Sequence, residues 1–276
     1  MKDRGPSRSS RPYRPRVSLT RALSKMGHGS RTQARGWIEE GRVRVNGLVE
    51  TDGARRVDPA EDRIEVEGIS TPSPEKVYLL LNKPRGLVTT ASDERGRATV
   101  YDCLGKEDLP WLAPVGRLDK ASEGLLLFTN DTRWAAHILD PRACLEKTYH
   151  VQIGGLADAG FLNKMTEGIS SGEGDFLQAK RVRVLRQGER NCWLEIVLDE
   201  GRNRHIRRLL QALGRKVLRL VRVAVGPVSL GNLPKGQYRR LSGAEIKSLA
   251  KAGEGAKNEP GSADNGLSFS FTQGGR

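Results

Sequence analysis

Cysteine and histidine are scarce in this chain of 276 residues, with three of the first and four of the second. Cys103, Cys144 and Cys192 are far apart, odd in number and outside C-x-x-C spacing. They argue against a disulfide framework or zinc site and for a reducing compartment. His28, His137, His150 and His205 are equally scattered, so no metal site is expected. No apolar run approaches the roughly 18 residues that span a bilayer, and no basic amphipathic anchor is present, so no membrane association is expected. The first 16 residues lack an apolar segment of the kind that directs secretion, so a cytoplasmic setting is expected. Acidic residues are also in deficit. Against 47 Lys and Arg stand 33 Asp and Glu, for a net charge of +14. The partner to expect is anionic, with nucleic acid ahead of a membrane surface.

What is present falls into four stretches. Residues 1–16 carry Lys2, Arg4, Arg8, Arg11, Arg14 and Arg16 among Ser, Gly and Pro, and are expected to be a disordered basic tail. A small module follows at 17–68. Leu19, Ala22, Leu23 and Met26 repeat with helical spacing up to Gly27. Ser30-Arg31-Thr32-Gln33 reads as a capping box opening a second helix, whose buried face is Ala34, Trp37 and Ile38. Arg42-Val43-Arg44-Val45 alternates as a strand, and Asn46-Gly47 is a hairpin signal. Arg31 and Arg35 share a helical face, and Arg42 and Arg44 a strand face. Such a surface suits the phosphates of folded RNA, although it also fits an ordinary solvated face. Residues 69–76 read as a polar linker with two prolines.

A larger domain is expected at 77–250. Val77–Leu81 is a continuous apolar strand, and Pro84 and Gly86 place Lys83 and Arg85 on a fixed turn. The stretch Gly116-Arg117-Leu118-Asp119-Lys120-Ala121-Ser122-Glu123-Gly124 is a charged loop feeding the apolar run Leu125–Phe128. A buried strand would hold Arg117, Asp119 and Glu123 rigidly on that loop, as a catalytic carboxylate requires. Taken alone, Arg117 and Asp119 also fit a surface ion pair. Trp134, Ile138 and Leu139 suggest a short helix before Pro141. In Glu146–Ile153, alternation puts Lys147, Tyr149, Val151 and Ile153 on one face. A helix is expected at 157–165 and a strand at 192–198. Ile206, Leu209, Leu210 and Leu213 mark an amphipathic helix with Arg204, Arg207 and Arg208 near its N-terminus, a favourable place for anions. Strands are expected at 219–223 and 225–230. From 251 to 276 the composition predicts a second disordered tail.

Two resemblances organise these readings. Residues 17–67, above all Gly41-Arg42-Val43-Arg44-Val45-Asn46-Gly47, resemble an S4 RNA-binding domain. Residues 77–245 resemble the pseudouridine synthases of the RsuA type. The matching pieces, in order, are Asn82-Lys83-Pro84-x-Gly86, Gly116-Arg117-Leu118-Asp119-x-x-Ser122-Glu123-Gly124-Leu125, Glu146-Lys147-x-Tyr149, Glu200-Gly201-Arg202-Asn203-Arg204-x-Ile206-Arg207-Arg208 and Gly226-Pro227. The fold implied is α+β: a small S4 module, then a catalytic domain on a mixed, mainly antiparallel sheet with flanking helices.

The activity implied is isomerisation of uridine to pseudouridine in RNA, without cofactor or metal. Asp119 would be the nucleophile or the electrostatic partner of the developing sugar cation. Arg207 would pair with it. Tyr149 would stack on the base and is a candidate for removing the C5 proton. Arg117 would fill the gap left by the flipped nucleotide. Lys83, Lys147, Arg204 and Arg208 would contact the RNA, as would Arg31, Arg35, Arg42 and Arg44 of the small module. The stretch 200–204 resembles the branch of the family acting on large-subunit (23S) ribosomal RNA more than the 16S branch, and a monomer is expected. A non-catalytic ribosome-assembly factor or a structural ribosome-associated protein would account for the basic charge, but leave Asp119, Tyr149 and Arg207 unexplained.

Overall fold

A computed structural model describes residues 16–59, 61–68, 75–91, 93–105, 109–170 and 174–252. The expected linker at 69–76 and the expected tails at 1–16 and 251–276 fall largely outside them. Arg16, Glu75 and Lys76 are described, as are Lys251 and Ala252, which complete a helix that runs two residues past the expected domain edge.

The small module opens with strand β1 (Val17–Ser18) and helix α1 (Leu19–Lys25). Helix α2 (Arg31–Glu39) begins with the capping box read from the sequence: the Gln33 N–H donates to Ser30 Oγ at 3.1 Å, and the Ser30 N–H to Gln33 Oε1 at 2.9 Å. Strand β2 (Val43–Val45) turns into β3 (Leu48–Val49) at Asn46 and Gly47, whose φ of 54° and 85° are the paired positive values a tight hairpin demands. Strands β4 (Arg56–Val57) and β5 (Ile64–Val66) follow, with β5 on the other edge of β2 and β4 against β1. Leu19, Leu23, Ile38, Val43, Val45 and Ile64 form the core. Burying each such side chain contributes about 1.5–3 kcal/mol. The basic residues are left outside.

The larger domain is built on a nine-stranded sheet. Its strands are β6 (Tyr78–Lys83), β7 (Ala113–Val115), β8 (Glu123–Thr129), β9 (Lys147–Gly154), β12 (Arg181–Gln187), β13 (Asn191–Leu198), β14 (Val217–Val225), β15 (Val228–Ser229) and β16 (Tyr238–Arg240). A hairpin of β10 (Ile169–Ser170) and β11 (Phe176–Leu177) lies apart from it. The helices are α3 (Thr132–Leu139), α4 (Ala159–Glu167), α5 (His205–Ala212) and α6 (Gly243–Ala252). The main path runs β12-β13-β9-β14-β8-β6-β16, and every pairing is antiparallel except β14 with β8. The sheet is therefore mixed and mainly antiparallel, as expected.

Strand β8 explains its own continuous apolar run, since all seven of its residues are buried. Leu125 and Leu127 face Trp134, Ile138 and Leu249 of α3 and α6, whereas Leu126 and Phe128 face Leu79, Leu81 and Val100. Gly124 makes the parallel seam possible. Its φ is +101°, and a Cβ there would overlap the Arg222 carbonyl oxygen and lie 2.8 Å from the Arg222 nitrogen.

Other boundaries also differ from expectation. The helix expected at 157–165 runs from Ala159 to Glu167, because Asp158 caps it through the Phe161 N–H at 2.7 Å and Gly168 ends it. The strands expected at 219–223 and 225–230 are one long β14 that turns at Gly226-Pro227 into β15. Glu123 belongs to β8, not to the loop before it, because its backbone pairs with Val221.

Candidate active site

The loop 116–122 precedes the most buried strand of the sheet and is tied down along its length. The Thr89 hydroxyl donates to the Leu118 carbonyl at 2.7 Å, the Gly86 N–H to Lys120 at 2.8 Å, and the Ser122 N–H to Asp119 at 2.9 Å. Lys83 does most of the tying. Its ammonium donates to the carbonyls of Ser122, Asp119 and Pro84 at 2.8, 3.1 and 3.2 Å. Lys83 is 0% exposed, and desolvation lowers its pKa to about 8 against the pull of Asp119 and Glu123. Its expected place, on a turn and in contact with RNA, is thereby corrected. Pairing with Gly124 extends β6 through Lys83 and turns the side chain inward.

Asp119 lies at the wall of a cavity of about 520 Å³, within the size range of small-ligand sites. Its side chain is 38% exposed, and its Oδ2 stands 3.8 Å from both Arg204 Nη1 and Arg207 Nε. Arg207 reaches it from the first turn of α5. Its Nη2 donates to the Ala121 carbonyl at 3.1 Å and to Ser122 Oγ at 3.4 Å, and its buried Nε has no hydrogen bond. Burial pushes the Arg207 guanidinium down and the nearby Asp119 pushes it back up; a guanidinium stays charged throughout. Arg204 caps α5 in a left-handed conformation at φ +49° with no side-chain capping bond. An arginine held there stores strain of the order of 1–3 kcal/mol, and such strain clusters at functional sites.

Tyr149 comes to the cavity from β9, and Arg117 is exposed on the loop at its rim. Lys147 lines it two residues before Tyr149, with Nζ 3.5 Å from the Asp199 carbonyl, and burial followed by the charge of Arg222 lowers its pKa. Asp119, Tyr149, Arg207, Arg117, Arg204 and Lys147, drawn from distant parts of the chain, thus share one space. A cavity lined by a carboxylate, an aromatic ring and two guanidiniums can receive a planar base and meet a developing positive charge beside it.

The family pattern for RNA pseudouridylate synthases matches residues 77–212, and the S4 domain pattern matches residues 19–64. The chain belongs to the RNA pseudouridylate synthases. An uncharacterised RNA pseudouridine synthase of Aquifex aeolicus is 40% identical over 238 residues, covering 86% of this chain and 94% of that protein. Ribosomal large subunit pseudouridine synthase B of Bacillus subtilis is 35% identical over 242 residues, covering 87% and 98%. The crystal structure of a pseudouridylate synthase superposes with a TM-score of 0.59 at 30% identity, covering 84% of this chain and 99% of that one. The chain is thus an RNA pseudouridine synthase, an isomerase with an S4 domain ahead of its catalytic domain.

Other expected contact residues of the synthase stand elsewhere. Arg208 turns away from Asp119 to Asp175, 2.6 Å from its Oδ2. That carboxylate sits just before β11 and draws the guanidinium to the far flank of α5. In the S4 domain Arg31, Arg35 and Arg44 are exposed, while Arg42 precedes β2 and is held by Glu40 and the Glu67 carbonyl, each at 3.3 Å. Arg44 Nη1 bonds the Gly47 carbonyl at 3.2 Å. No helix among the described residues is long and apolar enough to cross a membrane.

Sequence reading missed two features. Arg222, 8% exposed on β14, lines the cavity. An arginine within the apolar run Val217–Val225 was the available signal. Glu123, buried at the start of β8, takes Arg219 at 2.8 Å and Lys235 at 2.7 Å, and so fastens the root of the Asp119 loop to β14 and to the segment before β16. His205 is buried with Nδ1 3.1 Å from Glu200 Oε1, and burial lowers its pKa.

Proposed function

We propose that this synthase isomerises a uridine of large-subunit ribosomal RNA, with Asp119 as the residue on which the reaction turns. The observation that carries this reading is the position of the Asp119 carboxylate. It lies in a cavity with Tyr149, 3.8 Å from two guanidiniums, on a loop fixed by a buried lysine. A non-catalytic RNA binder has no use for that constellation.

The target nucleotide leaves its stack to reach such a site. Exposed Arg117 at the rim is placed to occupy the gap. Tyr149 presents its ring to the base. The N1–C1′ bond breaks with its electron pair passing to N1, and the Asp119 carboxylate meets the positive charge at C1′. The free base turns, C5 supplies the electron pair of the new C5–C1′ bond, C5 loses its proton to a base for which Tyr149 is the candidate, and N1 gains one. The exposed arginines of the S4 domain engage RNA phosphates and so set where the cavity arrives.

The large-subunit substrate is supported by the Glu200–Arg204 stretch and by the name carried by the Bacillus subtilis relative. Pseudouridines are to be mapped in both ribosomal RNAs of cells with and without the gene. Loss of one large-subunit site, restored by the wild-type chain, is expected. A missing small-subunit site would overturn this assignment of substrate.

A further inference from the structure

The cavity also holds two cations that the reaction scheme has not used. Lys147 opens β9 and Arg222 lies near the end of β14. In the antiparallel β9–β14 ladder Arg222 stands directly opposite Tyr149, and Lys147 is two residues from Tyr149 on the same face. All three line the cavity with Asp119. Arg222 is 8% exposed, and its Nε donates to the Leu125 carbonyl at 2.8 Å. Lys147 Nζ is 3.5 Å from a carbonyl, that of Asp199. Among the described residues neither cation has a carboxylate within ion-pair distance, although Asp199 and Glu200 are near enough to draw on Lys147. Other cations of the site are held differently: Arg207 meets Asp119, and the ammonium of buried Lys83 is taken up by three backbone carbonyls. Two like charges side by side, desolvated and without a counterion, are costly to fold around. An anion that arrives with the substrate would account for them.

The reaction proposed above, on which this inference rests, generates one. When the N1–C1′ pair passes to N1, the detached uracil carries a negative charge spread over N1, O2, O4 and C5. We infer that Lys147 and Arg222 form a cationic cradle for the carbonyl oxygens of the detached base, beside the Tyr149 ring. The two charges of the separated pair then have separate partners: Asp119 holds the sugar, and Lys147 with Arg222 holds the base while it turns. Atoms and electrons balance without a further reagent. The cations take no proton, and the pair lent to N1 returns as the C5–C1′ bond. Cations fixed before the charge appears act without reorganising, which is the condition for strong transition-state stabilisation. A backbone phosphate offers the same charge from a different source, and the experiment separates the two.

Lys147→Gln, Arg222→Gln, Lys147→Arg and Arg222→Lys are compared with wild type for pseudouridine formation at saturating RNA and for RNA affinity across a salt series. Each glutamine variant is expected to lose about 10²–10³-fold in the saturating rate, the scale of removing one preorganised donor. RNA affinity and its salt slope stay at wild-type values, and the charge-conserving variants recover part of the rate. Two outcomes would overturn the cradle: a saturating rate unchanged while affinity and salt slope fall by about one phosphate contact, or no change in either. Melting temperatures guard against loss of fold. Lys147→Gln leaves the Arg222–Leu125 bond intact, so a purely structural role of Arg222 would spare that variant. Asp119→Asn is assayed alongside. If it is inactive while both glutamine variants match wild type, the cradle alone fails; if it keeps wild-type activity, the reading of the whole site fails.

Discussion

Replacing Lys83 by methionine tests whether the catalytic loop is held from below by one buried charge. The ammonium serves three carbonyls, of Ser122, Asp119 and Pro84. A buried acceptor left without its donor costs about 1–3 kcal/mol. The Asp119 carbonyl keeps the Ser122 N–H, so two acceptors are orphaned and the loss sums to about 4 kcal/mol. Against it stands relief of desolvation. The fall of the Lys83 pKa from 10.5 to about 8 represents about 3 kcal/mol held against the charged form. The net destabilisation is about 1 kcal/mol, or roughly 2–4 °C in melting temperature for a domain of this size. The pH dependence carries the sharper test. Because the folded pKa is depressed, the unfolded chain binds more protons between pH 8 and 10.5, and wild-type stability gains as pH rises through that window. Lys83→Met lacks this gain, so the stability gap between the two proteins widens toward pH 10. Denaturant melts at pH 7, 8.5 and 10 read it directly. A gap that stays flat or narrows with pH would refute the reasoning, as would a variant as stable as wild type at pH 7. The saturating rate should fall by about 10²-fold, the scale of an ångström of misplacement at a reacting group.

Gly124→Ala forces a Cβ into the Arg222 carbonyl at a positive φ; urea unfolding should show a loss of about 3 kcal/mol or more. Arg117→Ala should slow pseudouridine formation for a uridine within a paired stem and spare one in an unstructured oligonucleotide, since only the first leaves a gap to fill. Arg207→Gln removes one of the two charges 3.8 Å from Asp119 and should lower the saturating rate by about 10²-fold or more with little change in RNA affinity.

Much of the fold could be read from the chain because local chemistry and tertiary structure agree there. The Ser30–Gln33 capping box, the Asn46-Gly47 turn and the continuous apolar β8 each carry their cause in a few adjacent residues. The elements that were misplaced depend on distant partners. Glu123 and Lys83 look like loop charges until Val221 and Gly124 pair with their backbones. Arg208 sits beside Arg207 in the sequence, yet Asp175, 33 residues away, decides its direction. Asp119, Tyr149 and Arg207 could be named from the motifs, whereas the sequence offers for Arg222 only its place in the apolar run Val217–Val225. That no carboxylate pairs with Arg222 among the described residues shows only when its surroundings are in place.

The central claim is that the Asp119 carboxylate is the reacting group of the site. Asp119→Asn keeps the volume and removes the charge, and pseudouridine formation on the mapped ribosomal RNA is the measurement. A loss of at least about 10⁴-fold is predicted, the scale of removing a key group from a reacting constellation, with RNA affinity and melting temperature close to wild type. Retention of wild-type activity by Asp119→Asn would contradict the account.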